Sequence, residues 1–414
     1  MSDPILSHTF ENGLVLVGEP LEGVESAAFT VRVPAGTAYE PAALAGLSTL
    51  TCELALRGAG ARDSRQFVTD LDNLGVERDA TVSDAHTSFS GATMSRNLQP
   101  ALSIFADVLR RPLLPAEQLP ATRAVVLQEL SAIEDDPAQK LMQELRRRHF
   151  PDPWGRPSQG KRESVTNIKL AEIRRQFEQC YRPNGTIIGV AGNFSWGALV
   201  DHIAHLYADW PAQAVAEPTE GAQGVQHEHL HQDSNQTQIG IAYASVPYRD
   251  PDYFPAWGSV GVLSGGMSSR LFTEVREKRG LCYSVYASHH SLRDRAGVLC
   301  YAGTSAERAQ ETLDVTLGEI VRLTKGIETE ELDRLKARIK SALVMQQEST
   351  SSRSAAIARD WYYLGRVRTL DEVGALVDAL SRETINTFLA DHPPRQFTIV
   401  TLGPEPLEVP VAVS

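Results

Sequence analysis

The chain has 414 residues, of which 42% are apolar and 22% charged, with a formal net charge of −12. That is the composition of a soluble globular protein of two to three domains. The acidic balance repels phosphate backbones and argues against a nucleic-acid partner, and no apolar run approaches the ~20 residues of a membrane span.

The opening segment, Met1 to His8, lacks a basic stretch followed by an apolar core and does not read as a secretory signal. Cys52, Cys180, Cys282 and Cys300 are scattered, with no pair at zinc-knuckle or redox spacing. A cytoplasmic protein with reduced thiols is expected. Phe10-Glu11-Asn12-Gly13-Leu14 carries a hairpin signature, because Asn-Gly readily adopts the positive φ of a tight turn. Residues 25–33 read as a strand. From Ala42 to Arg57, Leu47, Leu50 and Leu54 repeat at helical steps, and Gly58 closes the segment. Asn97 to Arg110 is a second amphipathic helix. A long helical stretch from about Pro115 to His149 should break at Asp136-Pro137.

Residues 211–227 form a Pro, Ala, Gly and Gln-rich stretch that reads as a linker between near-equal halves. The halves resemble each other. Helix 97–110 leads into Pro115-Ala-Glu-Gln-Leu119 and a long helix, as residues 306–324 lead into Glu328-Thr-Glu-Glu-Leu332 and a long helix through about Gly365. A duplicated unit accounts for this. The expected fold class is α+β, with two homologous α/β-sandwich domains at 1–210 and 228–414. Each would be a mainly antiparallel sheet with helices packed on one face.

Three segments carry a more specific signal: GLSTLTCELALRGAG at 46–60, RAVVLQELSAIEDDP at 123–137 and GGMSSRLFTEVREKRGLCYSVY at 265–286. Together and in this order they resemble the pitrilysin/insulinase peptidases, most closely the branch of mitochondrial processing peptidase and its bacterial relatives. The resemblance covers nearly the whole chain and implies a clam-like pair of domains. Active members of that family carry His-x-x-Glu-His on a helix in the first segment. The spacing puts two imidazoles and a glutamate base on one helical face around Zn²⁺.

Laid over that pattern, this sequence places Thr49, Cys52 and Glu53 at the three positions, so both histidines and the base are replaced. The later ligand position is kept as Glu129, 76 residues beyond Glu53. The expectation is no metal in this chain, with Thr49, Cys52 and Glu53 forming a packed or solvated helix face and Glu129 an ordinary exposed glutamate on a later helix. Because cysteine and carboxylates bind zinc, a site improvised from Cys52, Glu53 and Glu129 stays open beside it. His86, on an apparent strand, reads as structural.

In the third segment Gly265-Gly266 allows a close-approach turn, and Ser268-Ser269-Arg270 can begin a helix. The resemblance implies that Arg276 and Tyr283 hold the substrate backbone, a guanidinium fork and a phenol donating to peptide carbonyls. The alternative is that Arg276 pairs with Glu274 or Glu277 while Tyr283 fills a sheet face. These readings converge on a non-catalytic, substrate-binding subunit of a heterodimeric zinc metallopeptidase that cleaves unstructured peptides. Its partner would be a His-x-x-Glu-His chain that holds the zinc. The alternatives are a purely structural core subunit, a stand-alone peptide-binding or maturation factor, and an active peptidase with an atypical metal site.

Overall fold

The computed structural model describes residues 5–214 and 217–409. Met1 to Pro4, in the segment read for a leader, Val215 and Ala216 of the linker stretch, and residues 410–414 lie outside the described residues. The opening hairpin forms as the Asn-Gly signal requires. Strands Leu6–Thr9 and Val15–Pro20 pair antiparallel, and between them Gly13 turns at φ 84°.

One sheet has six strands, side by side in the order Leu6–Thr9, Val15–Pro20, Ile187–Gly192, Ser26–Val33, Thr87–Met94 and Glu77–Val82. Val15–Pro20 and Ile187–Gly192 run parallel; the other neighbours are antiparallel. A second sheet has five strands in the order Cys282–Ser291, Ala296–Ser305, Gln236–Ser245, Thr398–Gly403 and His227–His231. Its single parallel pair is Thr398–Gly403 with His227–His231. Set aside the opening strand and the short ribbon Gly58–Ala59/Arg62–Asp63, and number the strands within each half of the chain. Both sheets then read 1-5-2-4-3. One topology used twice is the mark of a duplicated unit.

Strands such as Ile187–Gly192 and Thr398–Gly403 are buried at every residue, so both faces of each sheet must be covered. In the first sheet most of the helices pack on one face, around a core in which Phe29 meets Phe105 edge-on at 5.0 Å. The other face takes one helix, Thr350–Leu364, from the second half of the sequence. It sits close because Gly189 has no side chain: a Cβ there would lie 2.4 Å from the Ser354 carbonyl. It is also pinned by a buried ion pair, Arg353 Nε and Nη2 each donating to Glu19 at 2.7 Å.

The second sheet repeats the arrangement with the exchange reversed. Helix Pro137–His149, from the first half, lays Leu141 and Leu145 over Ala242, Leu299, Val400 and Leu402. Gly240 and Gly297 leave room for Leu145 and the His149 ring. Each buried leucine contributes roughly 1.5–3 kcal/mol. The chain accordingly divides into two compact units that trade these helices. One lies within Met1–Ala132, Arg156–Glu220 and Met345–Thr369; the other within Ile133–Gly155, Gly221–Val344 and Leu370–Ser414.

Two expected helices differ in extent. The segment expected from Ala42 is helical only over Leu47–Ala55, because Gly46 adopts φ 97° and separates it from a single turn at Ala42–Leu44. The stretch from Glu328 to Gly365 is two helices, Thr329–Gln347 and Thr350–Leu364. Ser349 Oγ accepts from Ser352 N and caps the second. The break at Asp136 forms as expected, with Asp136 Oδ1 accepting from the Ala138 and Gln139 amides and Pro137 in the first turn. Among the described residues no helix is long and apolar enough to cross a membrane.

Removing one partner of a buried ion pair strands the other charge. Arg353→Ala should therefore lower unfolding free energy by about 3–5 kcal/mol. The double change Glu19→Leu, Arg353→Met should recover most of it, both read by denaturant titration.

A second stability effect is set by pH. Burial pulls His149 and His289 down to about 4, and burial followed by the Arg146 charge pulls His290 down to about 3. The unfolded chain titrates near 6.5, so it binds more protons between the two values. The stability these neutral rings support is complete above about pH 6.5 and is lost as pH falls toward 3–4. The melting temperature should drop across that window, and His290→Phe should flatten the drop.

Candidate substrate-holding and degenerate metal sites

The helix Leu47–Ala55 is held at its start by a buried carboxylate. Glu40 Oε1 accepts from the Gly46 amide at 3.0 Å and Oε2 from the Ser48 amide at 2.9 Å. Burial raises the Glu40 carboxyl to about 7, even though these two bonds pull it down. Gly46 is required by its φ and by space, since a Cβ would meet Val165 at 2.7 Å.

The three positions on this helix then diverge. Thr49 Oγ1 donates to the Ser158 carbonyl at 2.6 Å. Cys52 is 2% exposed and belongs to the apolar core, where burial pushes its thiol far above the ordinary value. Glu53 is half-buried; burial raises its carboxyl and Arg57 opposes the rise. Glu129, on helix Leu119–Glu134, is raised by desolvation of its carboxyl and then by the Glu53 charge. The fold has thus brought Glu129 within reach of the Glu53 charge while turning Cys52 into the core. His86 is buried, edge-on to Tyr362 at 4.3 Å and 3.5 Å from Arg32 Nη2. Among the described residues no group of three or more His, Cys, Asp or Glu is arranged to hold a metal ion.

The segment 264–286 lies wholly in the second unit. Gly265 and Gly266 have different reasons to be glycine. A Cβ on Gly265 would sit 2.0 Å from the Gly261 carbonyl, and Gly266 has φ 145°. Leu271 leads into a π-type turn, Phe272–Glu277. There the Arg276 guanidinium lies 4.9 Å from the Phe272 ring centre and 5.9 Å from that of Tyr283. These are cation–π distances.

Glu274, one of the two alternative partners for Arg276, is spent elsewhere, and Glu277 has no ion pair with Arg276. Lys278 Nζ and Arg279 Nη1 each reach Glu274 at 2.7 Å, and their hydrogen bonds hold its carboxyl below the usual range. Tyr283 is 87% exposed. It is the extra residue of a β-bulge on the edge strand Cys282–Ser291, since Cys282 pairs with Thr304 and Ser284 with Gly303. Bulges re-aim side chains. Sequence reasoning missed Phe272, the ring beneath Arg276; its place four residues before the arginine was the available signal.

Comparison with known proteins follows the same two regions. The family described as "Insulinase (Peptidase family M16)" matches residues 18–157, and "Peptidase M16 inactive domain" matches residues 167–339. The chain belongs to peptidase family M16. An uncharacterized zinc protease of Bacillus subtilis is 26% identical over 393 residues, covering 92% of this chain and 94% of its own. An uncharacterized zinc protease of Mycobacterium bovis is 27% identical over 405 residues, covering 96% and 92%. Among solved structures, the peptidase M16 inactive domain from Pseudomonas fluorescens superposes with a TM-score of 0.89 at 22% identity, covering 98% of this chain and 99% of that one. A chain of complex III from Candida albicans superposes with a TM-score of 0.82 at 20% identity, covering 97% and 96%. At those identities the superpositions establish the M16 fold.

The effect of the Glu53 charge on Glu129 can be tested directly. Glu53→Gln removes one charge, so the Glu129 carboxyl should titrate lower than in the unaltered protein, as followed by carbon NMR of labelled glutamate. An unchanged Glu129 would mean that the Glu53 charge does not reach it.

Proposed function

We propose that this M16 chain is the non-catalytic, substrate-binding subunit of a heterodimeric zinc metallopeptidase acting on extended, unstructured peptides in the cytoplasm. The two halves are taken as homologous peptidase-like domains, the first with a degenerate metal site and the second with the substrate-holding segment. The observation that carries the reading is the contrast between them. Thr49 and Cys52 are committed to backbone and core, whereas Arg276 and Tyr283 stand side by side and exposed, Arg276 with no ion pair to any described residue.

Zinc fits the first site poorly. It takes four nitrogen, sulfur or carboxylate ligands in a tetrahedron. Thr49 is a poor ligand, the Cys52 thiol is buried and protonated, and two carboxylates remain. The metal, the general base and the hydrolytic step therefore belong to a partner subunit with His-x-x-Glu-His. In this chain Gly265 and Gly266 shape the turn that leads to Arg276, and Arg276 and Tyr283 donate to carbonyls of the peptide. The Phe272 ring holds the guanidinium in place while leaving its N–H edges free.

A structural-subunit reading draws on the likeness to the complex III chain. It differs in one outcome, since it leaves Arg276 and Tyr283 dispensable.

The test is reconstitution with a His-x-x-Glu-His chain encoded in the same genome. The subunit alone should contain well under one zinc per chain and cleave nothing, and the two should elute as a 1:1 complex. In that complex Arg276→Ala and Tyr283→Phe should each lower kcat/KM on an unstructured peptide by roughly ten- to hundred-fold, about 1.4–2.7 kcal/mol. Arg276→Lys should rescue poorly, because a point charge does not reproduce the planar fork. Zinc content and assembly should stay unchanged. Full activity in both variants favours the structural reading, and stoichiometric zinc lost in Glu129→Ala overturns the non-catalytic one.

A further inference from the structure

Beside the Gly265–Gly266 turn, and within the same unit, lies a cavity of about 310 Å³ lined by Gly261, Gly265, Gly266, Ser268, Arg334 and Arg338 among others. Arg334 and Arg338 stand one turn apart on helix Thr329–Gln347, so their side chains share a face. The Arg338 guanidinium rests on a shelf made by missing side chains. A Cβ at Gly265 would fall 2.5 Å from Nη2 and 2.6 Å from Nη1, and one at Gly261 3.3 Å from Nη2.

The acid in the lining does not neutralise these cations. Glu331 is gripped by Arg270, whose Nε and Nη2 each donate to it at 2.7 Å. Burial opposes the effect, yet these bonds hold the Glu331 carboxyl below the usual range. Arg338 has no hydrogen bond or ion pair with any described residue, and desolvation against the shelf lowers its pKa. Two like charges at this spacing repel each other in the absence of an anion. In a chain of net charge −12 an uncompensated basic pocket is a local exception. Like Arg276, it sits beside a glycine turn, and Ser264 Oγ ties that turn to the Tyr283 strand by accepting from the Ala287 amide at 2.8 Å.

We propose that this cavity is a carboxylate subsite for the bound peptide, in which Arg334 and Arg338 take either an Asp or Glu side chain or the terminal carboxylate. The proposal rests on the peptide-binding reading above and adds a substrate preference to it. A guanidinium fork matches a carboxylate through two parallel N–H···O bonds. The Ser268 hydroxyl, in the lining of the same cavity, is available as a third donor.

The experiment is fluorescence anisotropy on the full chain with three labelled, otherwise identical unstructured peptides. One is neutral and amidated, one amidated with a single Asp, and one neutral with a free C-terminus. The expected result is that one or both carboxylate peptides bind about ten- to hundred-fold more tightly than the neutral one, the stronger of them naming the source. Arg338→Ala and Arg334→Ala should each erase most of the preference without weakening the neutral peptide. Arg338→Lys should keep part of it.

Equal affinity for all three peptides, or a preference that survives Arg338→Ala, overturns the subsite. N-acetyl-aspartate, compared with chloride at the same ionic strength, provides a readout that needs no peptide binding. It should raise the melting temperature of the unaltered chain but not of Arg338→Ala, and no rise in the unaltered chain overturns the subsite. If no peptide binds while N-acetyl-aspartate still gives this shift, the subsite stands and the peptide-binding reading falls. If Arg276→Ala abolishes binding of all three peptides but the preference never existed, the reverse holds.

Discussion

Two sheets whose central strands are apolar on both faces each need two covers, and the local sequence supplies one. The second cover is a helix from the other half of the chain, seated where glycine replaces a side chain: Gly189 under Ser354, and Gly240 and Gly297 under Leu145 and His149. Every other element depends on this exchange. Without it Val17, Ile187, Val400 and Leu402 would face water, and burial of apolar side chains is the dominant favourable term in folding. The ion pair between Arg353 and Glu19 adds directional specificity to one of the two seats. Its net contribution is small beside the cost of breaking it.

The two units repeat one strand order with different local detail. In the first, helix Leu47–Ala55 turns Cys52 into the core and Thr49 donates to the Ser158 carbonyl, while desolvation and then the Glu53 charge raise the Glu129 carboxyl. In the second, the glycine turn, the π-type turn and the bulge hold an arginine and a tyrosine out from the surface. Each of those three irregularities departs from regular secondary structure. Such departures persist where the surroundings over-determine them and cluster at sites that bind.

The basic cavity beside Gly265 draws on two segments of the second unit. Its cations come from helix Thr329–Gln347, while the glycine shelf comes from the chain before Arg276. Charge and backbone shape thus come from segments far apart in sequence.

Much of this was legible in the residues themselves. Asn12-Gly13 sets a turn through its own φ preference, Asp136-Pro137 ends one helix and caps the next, and the leucine spacing marks helical faces, because each of these acts within a few residues. The likeness between the halves also survived in the sequence, although the shared strand order appeared only in the fold. Where local signals misled, the cause was equally local: Gly46 cut a helix that its leucines would have continued, and Ser349 capped one where a single helix was expected. Tertiary structure alone decided which half's helix covers which sheet, that Cys52 points into the core while Glu129 comes within reach of the Glu53 charge, and that Tyr283 stands on a bulge. Those outcomes depend on partners dozens to hundreds of residues away and on backbone offsets of one residue, and neither leaves a mark in the periodicity of the chain.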